Sequence, residues 1–429
     1  ARTSTGAVSF MERYSNTTRE VAQCVEESQK VLIRGKGLVE IKDARNGDSV
    51  WTRVGWVKVV DTLRSKKEVY ALTSASGLNL KISEDHVLKH LNEEGVLSES
   101  ALKNLKIGDT LALLPGDYQG TKEGAEDSVL FLGKNVPAKE LYYWIGWSYG
   151  DGYIEQKRNK AVGLSITFGP NEQETAGDFF KFLVSLKLKP AYKNCDGRCT
   201  TVRVNSVKLV QELAALGALK EKSKNLGFPE TALDNQPDKV FPFLSGYFDA
   251  DGYASGSKKG YAFSSISKSF LEQTQQVLMA FGILSTLHIE HRSNLGWSAL
   301  YTLTVTGTES QARFVDRMGL SYKVAASKFI SKRDTRLTCY KPKDLGIKYN
   351  DFSYIGDNSQ YISFSAYERL RAELGNLPEP LVQDTIASIE KLELASTVDL
   401  VLEYEHLFWC QGFYVHNSGR RGGVVPLQS

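Results

Sequence analysis

Residues able to attack or break a peptide bond stand near both ends of this chain. Cys24 follows Gln23, and its thiol can attack the Gln23 carbonyl to give a thioester. His416-Asn417-Ser418 stands near the other end. The Ser418 hydroxyl can attack that thioester. The Asn417 side-chain nitrogen can attack its own main-chain carbonyl, closing a succinimide and breaking the next peptide bond. Each step needs a proton delivered to a leaving nitrogen, the usual work of histidine. A second pattern lies in the middle, where Asp151-Gly152-Tyr153 and Asp251-Gly252-Tyr253 each close an apolar stretch. Alone, each of these residues also reads as part of an ordinary turn.

Their surroundings differ. From Cys24 the runs Val31–Ile33, Gly37–Ile41, Val57–Val60, Val69–Leu72 and Leu78–Ile82 are short and β-like, punctuated by Asn46-Gly47 and Ser76-Gly77. They predict an all-β unit. Residues 116–137 read as a connector, and residues 345–382 carry no clear pattern. β character returns in Ile386–Glu390, Val398–Leu402, Leu407–Trp409 and Phe413–Val415. This tail is too short to fold alone and is expected to complete the first β unit. The middle of the chain is then an insertion at an exposed loop.

That middle is α/β and repeats itself. Leu141–Ile154 and Leu244–Ala254 have similar apolar spacing. Each is followed by a strand run (Val162–Phe168; Tyr261–Ser264), a helix (Glu174–Leu186; Phe270–Phe281), a strand pair and another helix (Val207–Leu216; Glu309–Met318). A duplicated domain with a pseudo-twofold axis follows.

Composition bounds the function. The chain has 429 residues, 41% hydrophobic and 24% charged, so disorder over its whole length is excluded. No stretch is apolar enough for a membrane helix, and Ala1–Gly6 is too polar for a signal peptide. Five cysteines are too few and odd in number for a disulfide scaffold. A reducing, cytoplasmic setting is expected. Net charge is +3, yet residues 151–343 hold 27 Lys+Arg against 18 Asp+Glu. A basic middle in an acidic frame fits contact with a polyanion, as well as a merely solvated lysine-rich surface.

At the junctions the chain resembles the inteins. Cys24 with Val31-Leu32-Ile33 is similar to their N-terminal splicing block. Leu80–Leu88, holding Ser83 and His86, resembles the second block, with Ser83 where Thr is common. Val398-Asp399-Leu400 through His406-Leu407-Phe408, then Gly412–Ser418, resembles the C-terminal blocks. The resemblance implies an N-to-S acyl shift at Cys24, with His86 protonating the scissile nitrogen and Ser83 beside it. It implies Ser418 as second nucleophile, Asn417 cyclising with help from His416 and His406, and Asp399 coordinating the early steps. No cofactor or metal is implied for splicing. The competing reading of His86 and His90, four apart, is a metal pair.

In the repeat, Leu244–Gly252 closely resembles the signature of LAGLIDADG homing endonucleases, and Trp144–Gly152 more loosely, departing at Tyr149 and Gly150. The resemblance implies Gly146 and Gly246 at a helix–helix contact, and Asp151 and Asp251 side by side as catalytic ligands of Mg2+. It further implies basic saddles in a DNA major groove, and site lysines at Lys222 and Lys323. A decayed domain that binds DNA or scaffolds without cutting is the alternative. Cys195 and Cys199 could be half of a zinc site or simply flank a β-turn.

The expected architecture is thus multidomain: an all-β, horseshoe-like Hint splicing domain (24–118 and 383–417) interrupted by a duplicated α/β LAGLIDADG endonuclease domain. That insertion spans 119–344, with repeats at about 138–235 and 240–340. Residues 345–382 are a linker or extension. Residues 1–23 and 418–429 are flanking host (extein) fragments. Joined, they resemble part of adenosylcobalamin-dependent ribonucleotide reductases. The expected partners are double-stranded DNA of the uninterrupted host gene and the host polypeptides, with no membrane contact. The chain is expected to be a monomer.

Overall fold

The computed structural model describes residues 23–118, 128–195, 198–220, 223–233, 237–255, 260–327, 330–331, 334–348, 351–355 and 360–417. Their centrepiece is a 12-stranded antiparallel sheet built from both ends of the chain. Its spine pairs Gly55–Ser74 with Val382–Leu402, strands of 20 and 21 residues. Each fuses two runs that the sequence pattern separates. The polar stretch between Val60 and Val69 suggests a break. It stays extended because its side chains alternate over a largely solvated ribbon, aided by the cross-strand pair Lys391–Glu68 at 2.9 Å. Irregular register after Ile386, Lys391 and Val401 bends the ribbon.

The short strand Val25–Glu26 wedges between Asn79–Ser83 and Val382–Leu402, with Val25 opposite both Ile82 and Val398. The residue before it, Cys24, is thereby carried into the middle of the sheet. Leu407–Cys410 and Phe413–His416 form a hairpin, and Leu407–Cys410 joins the sheet beside Lys30–Ile33. The C-terminal strands lie in the same sheet as the N-terminal ones and share with them a core of Val31, Val57, Leu80, Ile82, Val398, Phe408 and Val415.

The middle holds two copies of one arrangement. The first has α1 (Ala138–Asp151), α2 (Gln173–Ser185) and α3 (Val207–Ala215) around a four-stranded sheet. The second has α4 (Pro237–Asp251), α5 (Lys268–Ala280) and α6 (Thr308–Arg317) around another, and is followed by the short α7 (Tyr322–Ser327). Helix starts follow local chemistry: Ser206 Oγ accepts from Leu209 N–H, and Ser267 Oγ from Phe270 N–H. Phe179, Phe182 and Leu183 on α2 and Leu209 and Leu213 on α3 sit at helical spacing and turn inward. Each fully buried side chain of this kind contributes about 1.5–3 kcal/mol.

Residues 128–137, inside the expected connector, form the hairpin Ser128–Phe131 with Lys134–Pro137. The patternless 345–382 stretch contains α8 (Phe364–Leu374), started by Ser363. With Cys339 and Tyr340 it makes a small core of Ile347, Ile355, Ile362, Tyr367 and Leu370 against Leu91 and Ala112 of the β unit. The stacked Tyr340 and Tyr367 rings, 5.0 Å apart, anchor it. The α/β and β units are also joined by packing. Tyr118 meets Trp51, Trp56 and Phe281 edge-on, and Leu287 N–H donates to Ser76 O at 2.9 Å. No described helix is long and apolar enough to cross a membrane.

Candidate functional site

The wedge strand decides what surrounds Cys24. Its main-chain oxygen accepts from Ser83 N–H at 3.1 Å and from Ser83 Oγ at 3.5 Å. Its sulfur lies 3.6 Å from Ser65 Oγ, which is 2.8 Å from Thr397 Oγ1 on the opposing strand. Asp399 is fully buried nearby. Burial pushes the Cys24 thiol up from its ordinary range; the Ser65 contact and the Lys67 charge pull less strongly the other way, and Asp399 adds to the rise. The thiol is therefore held protonated.

His86 is completely buried and sits at the turn after Ser83, with its N–H on Ser83 O at 3.1 Å. Burial, then the charge of His416, pushes its pKa down to about 3. Asp85 and the Cys24 backbone oppose that shift. Neither ring nitrogen of His86 closes a full hydrogen bond among the described residues. Asp85 itself is pushed up by burial, but Ser83 and the Lys67 ammonium, at 3.0 Å, hold it below the usual carboxylate range. His86 is thus a neutral imidazole, close enough to both the Cys24 backbone and His416 to be shifted by them. The metal-pair reading of His86 and His90 does not hold. His90 lies in the strand Val87–Leu91, with its ring nitrogens on Leu91 O at 3.1 Å and Ser100 Oγ at 2.9 Å. No group of three or more His, Cys, Asp or Glu able to hold a metal occurs among the described residues.

At the other junction, Asn417 is buried and held by its neighbours' backbone. Its N–H donates to His406 O at 2.9 Å and its Nδ2 to Glu405 O at 3.1 Å. His406 offers this carbonyl, while its side chain stands exposed. Burial pushes His416 down; Glu99, 3.6 Å away, opposes this, while Lys89 and His406 add to it. Ser418 lies outside the described residues, as do the two flanking fragments beyond Gln23.

The second site grows from the α1–α4 contact. A Cβ on Gly146 would collide with Phe243 O, and one on Gly246 with Tyr143 O, so the two backbones touch only because both positions are glycine. At Gly150, which departs from the expected signature, a Cβ would strike Ala250 Cβ, so this departure lets the helix ends close up. Asp151 and Asp251 end the two helices as neighbours. Both open to solvent, yet enough protein crowds them to raise their proton affinity. Asp151 is pushed up to about 6 by burial, then by Asp251 and Glu172.

Two lysines flank this pair in matching ways. Lys323 Nζ donates to Ala250 O at 3.2 Å and Gly252 O at 3.3 Å. Lys220 Nζ donates to Gly150 O, the equivalent carbonyl of the first copy. Both cations lower the proton affinity of Asp251. Burial pushes Lys220 itself down. Lys222 lies outside the described residues. Sequence reasoning passed over Lys220, although it follows the helix-ending Leu216-Gly217 much as Lys323 follows Met318-Gly319. It also missed Asp249, a buried carboxylate that accepts from Ser321 Oγ at 2.6 Å, Tyr143 OH at 2.9 Å and the N–H groups of Tyr322 and Lys323 at 3.2 Å. It fixes the turn that presents Lys323. The two sheets are unequally charged among the described residues. The first exposes Lys157, Lys160, Lys193 and Arg203, whereas the second exposes His288 and Ile289, with His291 and Trp297 beyond its edge. Cys195 and Cys199 pair across the hairpin Pro190–Cys195 with Cys199–Asn205, which fits the turn reading.

The chain is 24% identical over 332 residues to the replication factor C small subunit of Methanocaldococcus jannaschii, covering 72% of this chain and 17% of that protein. It is 29% identical over 282 residues to the ATP-dependent DNA helicase Hel308 of the same organism, covering 63% and 22%. The chain thus spans about a fifth of these relatives' length. Among solved structures, the homing endonuclease I-DmoI in complex with DNA and Ca is 19% identical, with a TM-score of 0.34, covering 44% of this chain and 97% of that one. The gp41-1 intein is 24% identical, with a TM-score of 0.18, covering 21% and 67%. Residues 238–319, which carry α4, Asp251 and the sheet behind them, match the LAGLIDADG-like domain family.

Proposed function

We propose that this chain is an intein precursor that excises residues 24–417 and carries a DNA-cutting insertion. The observation that carries the splicing half is His86. It is a buried neutral imidazole close enough to the Cys24 backbone and to His416 to be shifted by both, in the link between two strands of a sheet made from both ends of the chain. The relatives support the insertion reading. A replication factor C small subunit and a DNA helicase each match over about a fifth of their length, as an element shared between hosts would.

In the first step Cys24 Sγ gives up its proton and bonds to the Gln23 carbonyl carbon, the Gln23–Cys24 bond breaks, and the freed amine takes up that proton at the His86 side. Burial excludes water, so the thioester waits for a second nucleophile. Ser418 Oγ then displaces the Cys24 thiol, which regains its proton, and leaves a branched ester. Asn417 Nδ2 loses a proton and bonds to its own carbonyl carbon. The Asn417–Ser418 bond breaks, and the leaving amine takes a proton with His416 beside it. That amine attacks the ester, the acyl group moves from oxygen to nitrogen, and the flanks are joined by an amide. Asp399 and Ser83 hold the first junction. His406 contributes through its carbonyl, while its ring stands exposed.

Asp151 and Asp251 fit a divalent cation. Two adjacent hard-oxygen donors with raised proton affinity are relieved by a cation, and two carboxylates plus substrate phosphate is the donor set Mg2+ takes. Bound there, Mg2+ supplies charge neutralisation and water activation for phosphodiester hydrolysis. Lys220 and Lys323 place positive charge beside the scissile phosphate, and the basic first sheet tracks the backbone of double-stranded DNA. Retention of both carboxylates with a lysine at each favours cutting over binding alone. The host suggested by the flanks, a ribonucleotide reductase, rests on those flanks only, and a cytoplasmic monomer remains the expected setting.

The test is the intact mass of the unchanged chain over time. Splicing yields a 394-residue product and a joined 35-residue peptide. A precursor that neither splices nor releases its N-terminal fragment on adding a thiol refutes the reading. Incubating the chain with duplex DNA spanning the joined flanks and Mg2+ separates cutting from binding only.

A further inference from the structure

Asn417 is held by backbone carbonyls and not by the imidazole rings that the splicing resemblance names. Its two amide nitrogens donate to two successive carbonyls of one turn, Nδ2 to Glu405 O at 3.1 Å and N–H to His406 O at 2.9 Å. The Glu405 side chain fixes that turn. Its Oε1 accepts from His406 N–H at 2.8 Å and Leu407 N–H at 3.2 Å, and its Oε2 from Arg53 Nε at 3.2 Å. The carboxylate is buried, so these donors are what make its charge tolerable there. Arg53 comes from the tight turn between Ser49–Thr52 and Gly55–Ser74, closed by Thr52 Oγ1 on Gly55 O at 2.7 Å. Its other arm lies 3.6 Å from Glu379, whose carbonyl accepts from Tyr340 OH at 2.8 Å in the small Cys339–Leu381 core.

We propose that Arg53 and Glu405 form a clamp that positions Asn417 for cyclisation and ties the C-terminal junction to the Cys339–Leu381 segment. This rests on the splicing reading above. Cyclisation needs Nδ2 over its own carbonyl carbon, and an Asn side chain free to turn about two bonds spends little time there. A carbonyl accepting from Nδ2 restricts that rotation and draws one amide proton away from the nitrogen that must attack. Glu405 acts through the turn and touches no reacting atom, so it is a positioning residue. The same contact gives the Cys339–Leu381 segment a part in splicing, through Glu379 on the second arm of Arg53.

The experiment uses the full chain and reads two junctions separately by intact mass: release of residues 418–429, and release of the N-terminal fragment by added thiol. Glu405→Ala is expected to slow C-terminal release about tenfold or more, while thiol-induced N-terminal release stays within about twofold. Arg53→Met is expected to slow C-terminal release about threefold, because the two N–H donors still hold the carboxylate. Glu405→Gln keeps an acceptor for those donors and is expected to restore most of the rate. Unchanged C-terminal release in both Glu405→Ala and Arg53→Met overturns the clamp and leaves the splicing reading standing. Equal slowing of both junctions in both variants makes the contact merely structural and also overturns it. If the unchanged chain releases neither fragment, the splicing reading fails and the clamp fails with it.

Discussion

The two candidate sites are built in opposite ways. The Asp151–Asp251 site is open, charged and made twice from one local pattern. The Cys24–His86–Asn417 site is buried, held largely neutral and made once, from residues hundreds of positions apart. The difference follows from what each would act on. A site for a polyanion must admit it and carry ions to meet it. A site for the chain's own peptide bonds has its substrate in place already. What it needs is exclusion of water and a thiol and imidazole kept uncharged until they react.

The largest expected effect cuts the two sites apart. Asp251→Asn should lower cleavage of duplex DNA about a thousandfold while leaving the splicing rate unchanged, measured on one preparation. Cys24→Ala should abolish splicing and spare cleavage. If either change disables both, the comparison fails. Next is the contact that makes the open site possible. Gly246→Val forces a side chain into Tyr143 O and should destabilise the α/β unit by about 3 kcal/mol in chemical denaturation.

Acid should act on the two sites with opposite signs. His86 binds a proton less readily folded, at about 3, than unfolded, near 6.5. Stability is therefore lost as pH falls below 6.5, by about 2 kcal/mol at pH 5. Asp151 binds a proton more readily folded, at about 6 against 3.8. Without a divalent cation its contribution recovers as pH falls from 6 towards 3.8, and it is smaller because solvent screens it. Melting curves of His86→Gln should lose the first dependence and those of Asp151→Asn the second. Smallest is Lys220→Met, expected to slow DNA cleavage about tenfold with binding little changed, since the lysine sits at the helix ends rather than along the basic sheet. An unaffected cleavage rate would leave the pseudo-symmetry with Lys323 without a role.

Much of this was legible in residue order. Helical spacing and the repeated Asp-Gly-Tyr pointed to six described helices of the duplicated unit, two of which end in Asp151 and Asp251, because amphipathic periodicity and paired glycines are local signals. Strands such as Lys30–Ile33 and Phe413–His416 were found, but Ser49–Thr52, Leu97–Ala101 and Thr110–Leu113 were not, nor was the length of the two longest. The charged stretch of Gly55–Ser74 looks like a break until a partner strand gives each backbone group its hydrogen bond. Lys220, Asp249, Glu405 and Arg53 were missed for one reason. Each acts on a backbone carbonyl, a turn or a carboxylate whose importance the fold decides, although the spacing of Lys220 after Leu216-Gly217 offers a local hint.

The sequence by itself determined the chemistry available: a thiol at the first junction, the His-Asn-Ser triplet, two aspartates and two helices with glycine at their contact. Only the tertiary structure decided which groups meet. The wedge strand put Cys24 against Ser83 and Thr397, and burial set His86 neutral. The helix ends brought the aspartates together under two lysines. Charge state and proximity depend on what surrounds a group, and that is settled by packing between distant segments rather than by the order of residues.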